Sequence, residues 1–202
     1  MLILAIDTSG DRLAVILSGD KRDEIYLSDV MLKHSVTLMP SVEEILLRNG
    51  LTLCDIDAFA AVTGPGSFTG IRIGVSTAKA LAYANGKKVL AVTAFDLLAY
   101  NGVAGKKLCV IDALHGNFYA CGYDGEKVVL PPCFITGGEV KNLSGEYTVI
   151  TDKPLDGENY AVGDMLSGLK NAVNLKAGEA TFDRETLVPL YVRKSQAEES
   201  AK

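Results

Sequence analysis

The stretch that most limits what this chain can fold into is "AVTGPGSFTGIRIGVSTAKALA", residues 61–82. An apolar run leads into a glycine-rich loop and then into a helical pattern in which Gly70, Gly74, Ala78 and Ala82 recur at every fourth position. Residues four apart stack on one helix face, so that face is almost bare and admits another backbone at close range. Ile71, Val75 and Leu81, with Ile73, Ala80 and Ala84, occupy the other sides. A helix that is apolar nearly all round is buried on more than one side. One side is expected on the chain's own sheet; the second is covered either by the rest of the chain or by another protein, and the residues leave both readings open.

The loop itself invites comparison with a phosphate cradle. After Gly70 come Ile71 and Arg72, not the Lys and hydroxyl residue that reach phosphate and magnesium in a P-loop. The dinucleotide fingerprint needs an early strand, glycines at one-three spacing and an acidic ribose ligand about 20 residues on. Gly64, Pro65, Gly66 and Ser67 therefore read as a structural turn that sets the helix. Arg72, just inside that helix, is expected to pair within the loop or across an interface.

Around this unit the pattern is α/β. Strands are expected at 2–6, 12–17 and 24–28, the first two joined as a hairpin, followed by a helix from Ser35 or Thr37 to Asn49 with Pro40 in its first turn and Gly50 as its stop. A central strand at 56–64, the loop, a helix at 69–84, a strand at 87–93 and a short helix at 94–102 follow. Three more strands, at 107–113, 118–124 and 126–132, open the second half as the first half opened. That echo suggests two lobes related by duplication, 1–103 carrying the interface helices and 104–202 shorter, with a polar C-terminal tail. Between Gly137 and Gly178 the pattern yields only a strand within "EYTVIT" and a helix within "DMLSGLKNAV".

A hydrophobic content of 48% supplies an ordinary core, and a net charge of −5 with no Lys/Arg cluster argues against unaided binding of a nucleic-acid backbone. Cys54, Cys109, Cys121 and Cys133 are too widely spaced for a zinc site and too few for a disulfide framework. "MLILAI" is too short to span a membrane and lacks the basic region of a signal peptide. A cytoplasmic chain without membrane attachment is expected.

Asp7, Thr8 and Ser9 end the first strand, where turn amides and hydroxyls could hold a phosphate, or could simply stop a strand. His34 and His115 lack a second His or Cys at ligand spacing, so no metal site is expected; His34 reads as a helix-start residue near an interface. No hydrolase triad motif is present.

Four motifs in order, "ILAIDTS", "HSVTLMPSVEEIL", "AVTGPGSFTGIRIGVSTAKALA" and "PLYVRKSQAE", resemble the TsaB family, also called YeaZ, of the bacterial tRNA threonylcarbamoyladenosine system. The resemblance is dense in the first half and thin in the second. It implies a two-lobed actin-like, sugar-kinase-like ATPase fold of the ribonuclease H type, with mixed sheets flanked by helices. It further implies a non-catalytic partner and scaffold of the paralogue TsaD, which modifies adenosine 37 of ANN-decoding tRNAs, with the ATPase TsaE docking on the pair. A homodimer through the first-lobe helices is implied when the chain is alone, with tRNA met only indirectly. The interface so implied comprises His34, Leu38, Val42, Ile45 and Leu46 on the first helix, and Gly70, Ile71, Gly74, Val75, Ala78 and Ala82 on the second. Asp7, Thr8 and Ser9 match the superfamily's first phosphate turn, so weak ATP or ADP binding is the one cofactor reading left open. Leu114 stands where relatives commonly have Arg. The rival reading from another class is a stand-alone ATPase or small-molecule kinase; a peptidase has only the scattered histidines behind it.

Overall fold

A computed structural model describes residues 1–19, 22–28, 34–101, 103–155, 158 and 160–193. Five strands form the first sheet: β1 (Ile3–Asp7), β2 (Leu13–Gly19), β3 (Arg22–Ser28), β4 (Ala58–Val62) and β5 (Lys88–Val92), in the order β3-β2-β1-β4-β5. β1, β2 and β3 run antiparallel as hairpins, while β1, β4 and β5 are parallel, with α2 (Phe68–Asn85) as the β4–β5 crossover. The chain enters α1 (His34–Arg48) between β3 and β4, and α3 (Ala94–Ala99) follows β5.

The second sheet repeats the plan. β6 (Lys106–Asp112), β7 (Asn117–Asp124) and β8 (Lys127–Thr136) are antiparallel, then α4 (Gly137–Leu143), β9 (Thr148–Thr151), β10 (Ala161–Val162) and α5 (Met165–Lys176) complete the order β10-β9-β6-β7-β8. Counted from its own first strand, each sheet therefore has the same strand order and the same mix of antiparallel and parallel pairs.

Alternation of side chains along the strands builds the layers. Leu4 and Ile6 face α1 and α2 in one core, while Ile3 and Ala5 face α3 and α5 in another. Cys109 and Ile111 of β6 share that second core, so α3 and α5 lie between the two sheets, and Leu108 and Val110 point to a third core under α4. The central layer is pinned by Asp96, which caps α3, accepts from the Tyr123 hydroxyl at 2.9 Å and pairs with Lys176 at 3.2 Å. α5 also reaches the first sheet, where Ser18 Oγ donates to Asn174 Oδ1. Beyond α5 the chain returns to the first sheet: Val89 and Thr181 bridge backbone to backbone, Leu187 is fully buried, and the Leu190 amide donates to Thr63 O at 2.8 Å.

Two expectations need correction. β8 does not stop at Pro131 and Pro132; it continues to Thr136, because it is an edge strand and its ladder is irregular at Ala120–Gly122, where a missing proline donor costs little. The helix after Thr93 ends at Ala99, earlier than the glycine taken as its stop; Gly102 lies outside the described residues.

A candidate partner surface on the first two helices

The glycine loop is built against the end of β1. The Ser67 amide donates to Ser9 O at 2.7 Å, and the Ser67 side chain caps α2 by accepting from the Gly70 amide. At Gly66, φ is +156° and a Cβ would strike the Ser9 carbonyl oxygen; at Gly70 it would strike that of Thr8, and at Gly74 the Thr8 hydroxyl at 2.5 Å. Thr8 Oγ1 in turn donates to Gly70 O at 2.6 Å. Gly64 and Pro65 are buried beneath the loop, and Gly64 packs on Ile71. The bare face of α2 thus meets the chain's own first strand, and the glycines are there because backbone lies where side chains would be.

This reverses the expected orientation of the interface helices. Leu38, Val42, Ile45 and Leu46 of α1, and Ile71, Val75, Ala78 and Ala82 of α2, form one core with β1, β2 and β4 and are buried within the chain. Gly70 and Gly74 are buried as well. His34 is 7% exposed, and its Nε2 lies 3.1 Å from Gly10 O, so it closes the β1–β2 turn and does not face outward. The physical reason is that a sheet with two apolar faces needs cover on both, and these residues supply it for one. A carboxylate at Val42 or Ala78 would break the monomer's core, not merely an interface.

The outward side carries different residues. A groove of about 550 Å³ runs between the N-terminal halves of the two helices, with Leu38, Met39, Phe68, Arg72, Ile73 and Thr77 among its walls. Val36 and Met39 on α1, and Phe68 and Tyr83 on α2, are exposed apolar or aromatic side chains, of which Met39 and Phe68 line the groove. Arg72 pairs within the chain: its guanidinium carbon sits 3.8 Å over the Phe68 ring and its Nε donates to the Tyr191 hydroxyl at 2.8 Å. The sequence assigns none of Met39, Phe68, Ile73 and Tyr191 to a surface, and places Ile73 only on an apolar side of α2. Their signal is an offset of one or two residues from the small-residue ridge, and an aromatic far along the chain has no local signal at all.

The Asp7–Thr8–Ser9 turn is internally bonded. The Ser9 amide and hydroxyl donate to Asp7 Oδ1 at 2.8 and 2.6 Å, and Thr8 and Ser9 are buried. Burial pushes the Asp7 carboxyl above the ordinary value of 3.8, against the downward pull of the Ser9 bonds and of His34. Leu114 and His115 occupy the β6–β7 turn with φ of 68° and 56°, in the left-handed region, and Leu114 is exposed. Among the described residues no group of three or more His, Cys, Asp or Glu side chains is arranged to hold a metal ion, and no helix is long and apolar enough to cross a membrane.

Two sheets of identical strand order, with helices outside and between them, define the two-lobed actin-like ATPase class. Residues 28–177 match the family model described as TsaD, tRNA N6-adenosine threonylcarbamoyltransferase. The tRNA threonylcarbamoyladenosine biosynthesis protein TsaB of Escherichia coli is 34% identical over 165 residues, covering 74% of this chain and 71% of that protein. Its Bacillus subtilis namesake is 37% identical over 122 residues, covering 59% of this chain and 53% of its own length. The structure of YeaZ from Pseudomonas aeruginosa superposes with a TM-score of 0.73 at 25% identity, covering 94% of this chain and 99% of that one. The chain belongs to the TsaB (YeaZ) family.

Proposed function

We propose that this chain is a non-catalytic subunit that pairs with a TsaD-type paralogue in forming N6-threonylcarbamoyladenosine at position 37 of ANN-decoding tRNAs. The observation that carries the proposal is the groove between α1 and α2: the helices use one side for their own sheet and leave an apolar, open side for another protein. A paralogue of the same fold would present the same pair of helices, so the two chains would meet as a four-helix layer. The non-catalytic part rests on the first turn, whose Thr8 and Ser9 hydroxyls are engaged within the chain, and on the two histidines, which sit apart on α1 and the β6–β7 turn. Alone, the chain would self-associate through the same surface in the cytoplasm; TsaE would dock on the assembled pair, and tRNA would be reached mainly through the partner.

Co-purification with the paralogue, followed by tRNA modification assayed with and without this chain, tests the proposal. Met39→Glu, on the exposed side of α1, is expected to abolish both pairing and stimulation while leaving the chain folded. Modification at full rate without this chain, or wild-type pairing by Met39→Glu, would sink the reading. The rival, a stand-alone ATPase or kinase, would require saturable ATP turnover by the isolated chain that disappears in Asp7→Asn.

A further inference from the structure

Arg72 stands out in an acidic chain because nothing negative answers it. Among the described residues no carboxylate pairs with its guanidinium, and neither α1 nor α2 has an acidic residue in its first turn. Both helices direct their N-terminal halves to the groove, so their partial positive charge adds to that of Arg72. The side chain is exposed but held: it stacks on Phe68, its Nε is fixed by the Tyr191 hydroxyl, and the Phe68 and Tyr191 rings lie 5.5 Å apart. A guanidinium has five N–H donors in a planar fork. Engaging Nε alone leaves the two terminal nitrogens at the groove wall.

We infer that Arg72, positioned by Phe68 and Tyr191, receives a carboxylate of the partner subunit across the α1–α2 groove. The inference rests on the docking proposal and adds the chemistry of the partner. A protein carboxylate is favoured over a nucleic-acid phosphate because Leu38, Met39 and Ile73 make the groove beside Arg72 apolar, which suits a helix bearing one acidic residue among apolar ones. Holding the fork in place before binding removes part of the ordering cost that a free Arg would bear, which is the reason to recruit Tyr191 from the distant C-terminal segment. Tyr191 is thus a positioning residue, and Arg72 the contact.

The test measures the dissociation constant for the purified TsaD-type paralogue at low and high salt, for wild type, Arg72→Gln, Arg72→Lys and Tyr191→Phe, with urea midpoints as the folding control. Arg72→Gln should weaken binding by about 10-fold or more at low salt and flatten its salt dependence, since the loss of one charge pair falls on both. Arg72→Lys should recover part of the affinity, and Tyr191→Phe should weaken binding about 3-fold while keeping the salt dependence. Binding by Arg72→Gln within about 2-fold of wild type overturns the inference; if Met39→Glu still abolishes pairing, the docking proposal survives that result. Loss confined to tRNA binding by the assembled pair would assign Arg72 to a phosphate, and loss confined to self-association would assign it to a second copy; either overturns the inference. A wild-type chain that does not bind the paralogue brings down both.

Discussion

Replacing Gly70 by alanine asks which side of α2 the fold uses. At an open position in a helix, Gly→Ala stabilises by about 1 kcal/mol, because alanine loses less backbone freedom on folding. Here the new Cβ would collide with the Thr8 carbonyl oxygen, a backbone atom of the buried residue that directly follows the central strand β1 and cannot simply rotate away. Relief requires α2 to retreat from β1 by on the order of 1 Å, and a gap of that size forfeits a quarter to a half of the dispersion energy at each contact along the face. Overpacking of this kind costs about 1–3 kcal/mol, and separating the elements also strains the buried Thr8 Oγ1 bond to Gly70 O, worth about 1 kcal/mol. Against the helix-propensity gain, the net expectation is a loss of about 2 kcal/mol.

Urea unfolding followed by far-UV circular dichroism reads this directly. With an m-value of about 2 kcal/mol/M, the midpoint should fall by about 1 M. Gly74→Ala should cost less, because its Cβ meets the Thr8 hydroxyl, a side-chain atom with some freedom to turn. If the bare face met a partner instead of β1, Gly70→Ala would leave the urea midpoint unchanged or raised and would damage pairing alone. That result would refute the placement of the helix and the closeness argument together.

Two further outcomes are expected. Leu114→Gly should stabilise by about 0.5–1 kcal/mol, since an exposed leucine at φ 68° carries a left-handed penalty of about 1–2 kcal/mol and glycine returns only part of that as unfolded-state entropy; a lowered melting temperature would contradict it. Asp7→Asn should be more stable than wild type at pH 7: a carboxyl whose folded value is raised contributes stability below its ordinary 3.8 that is lost as pH rises through the raised value. The gap in urea midpoint should close as pH falls toward 3.8, and a gap that opens with acidification would refute the reading. If the turn is structural, the same variant keeps full activity in tRNA modification.

Much of the first lobe was legible because its signals are local. Continuous apolar runs named β1 and β4, the glycine loop through Ser67 marked the start of α2, and four-residue spacing identified its bare ridge. What spacing could not decide was which neighbour the ridge meets, since the sequence shows that a backbone comes close but not whose it is. The answer depends on Thr8, more than 60 residues away, and on the carbonyl that Gly70 leaves room for. In the second half the pattern names no helix at α4 although Thr136 and Glu139 form a capping box, a four-residue signal obscured by Gly137 and Gly138 between them. β10 has only two residues and no pattern to read. Tyr191 was legible as part of "PLYVR" but not as a neighbour of Arg72, because a return of the chain across the first sheet leaves no periodicity.

The loop's contacts bear on two properties at once. Ser67 reaches Ser9 through the backbone, Thr8 reaches Gly70 through its hydroxyl, and both bonds fix the N-terminal end of α2 on the end of β1. A phosphate turn needs free amides and hydroxyls aimed at a ligand, whereas this turn directs its hydroxyls into its own loop. The bonds that fix the start of α2 thus include the one that occupies the Thr8 hydroxyl, while the Ser9 hydroxyl is held by Asp7. Rigidity there matters because a docking surface that is already ordered pays less on association, and Phe68, Arg72 and Tyr191 can stack only while the helix start stays in place. Gly70 links the two, its missing side chain letting the helix lie close and its carbonyl engaging Thr8, so a change there should loosen the docking face and release the turn together.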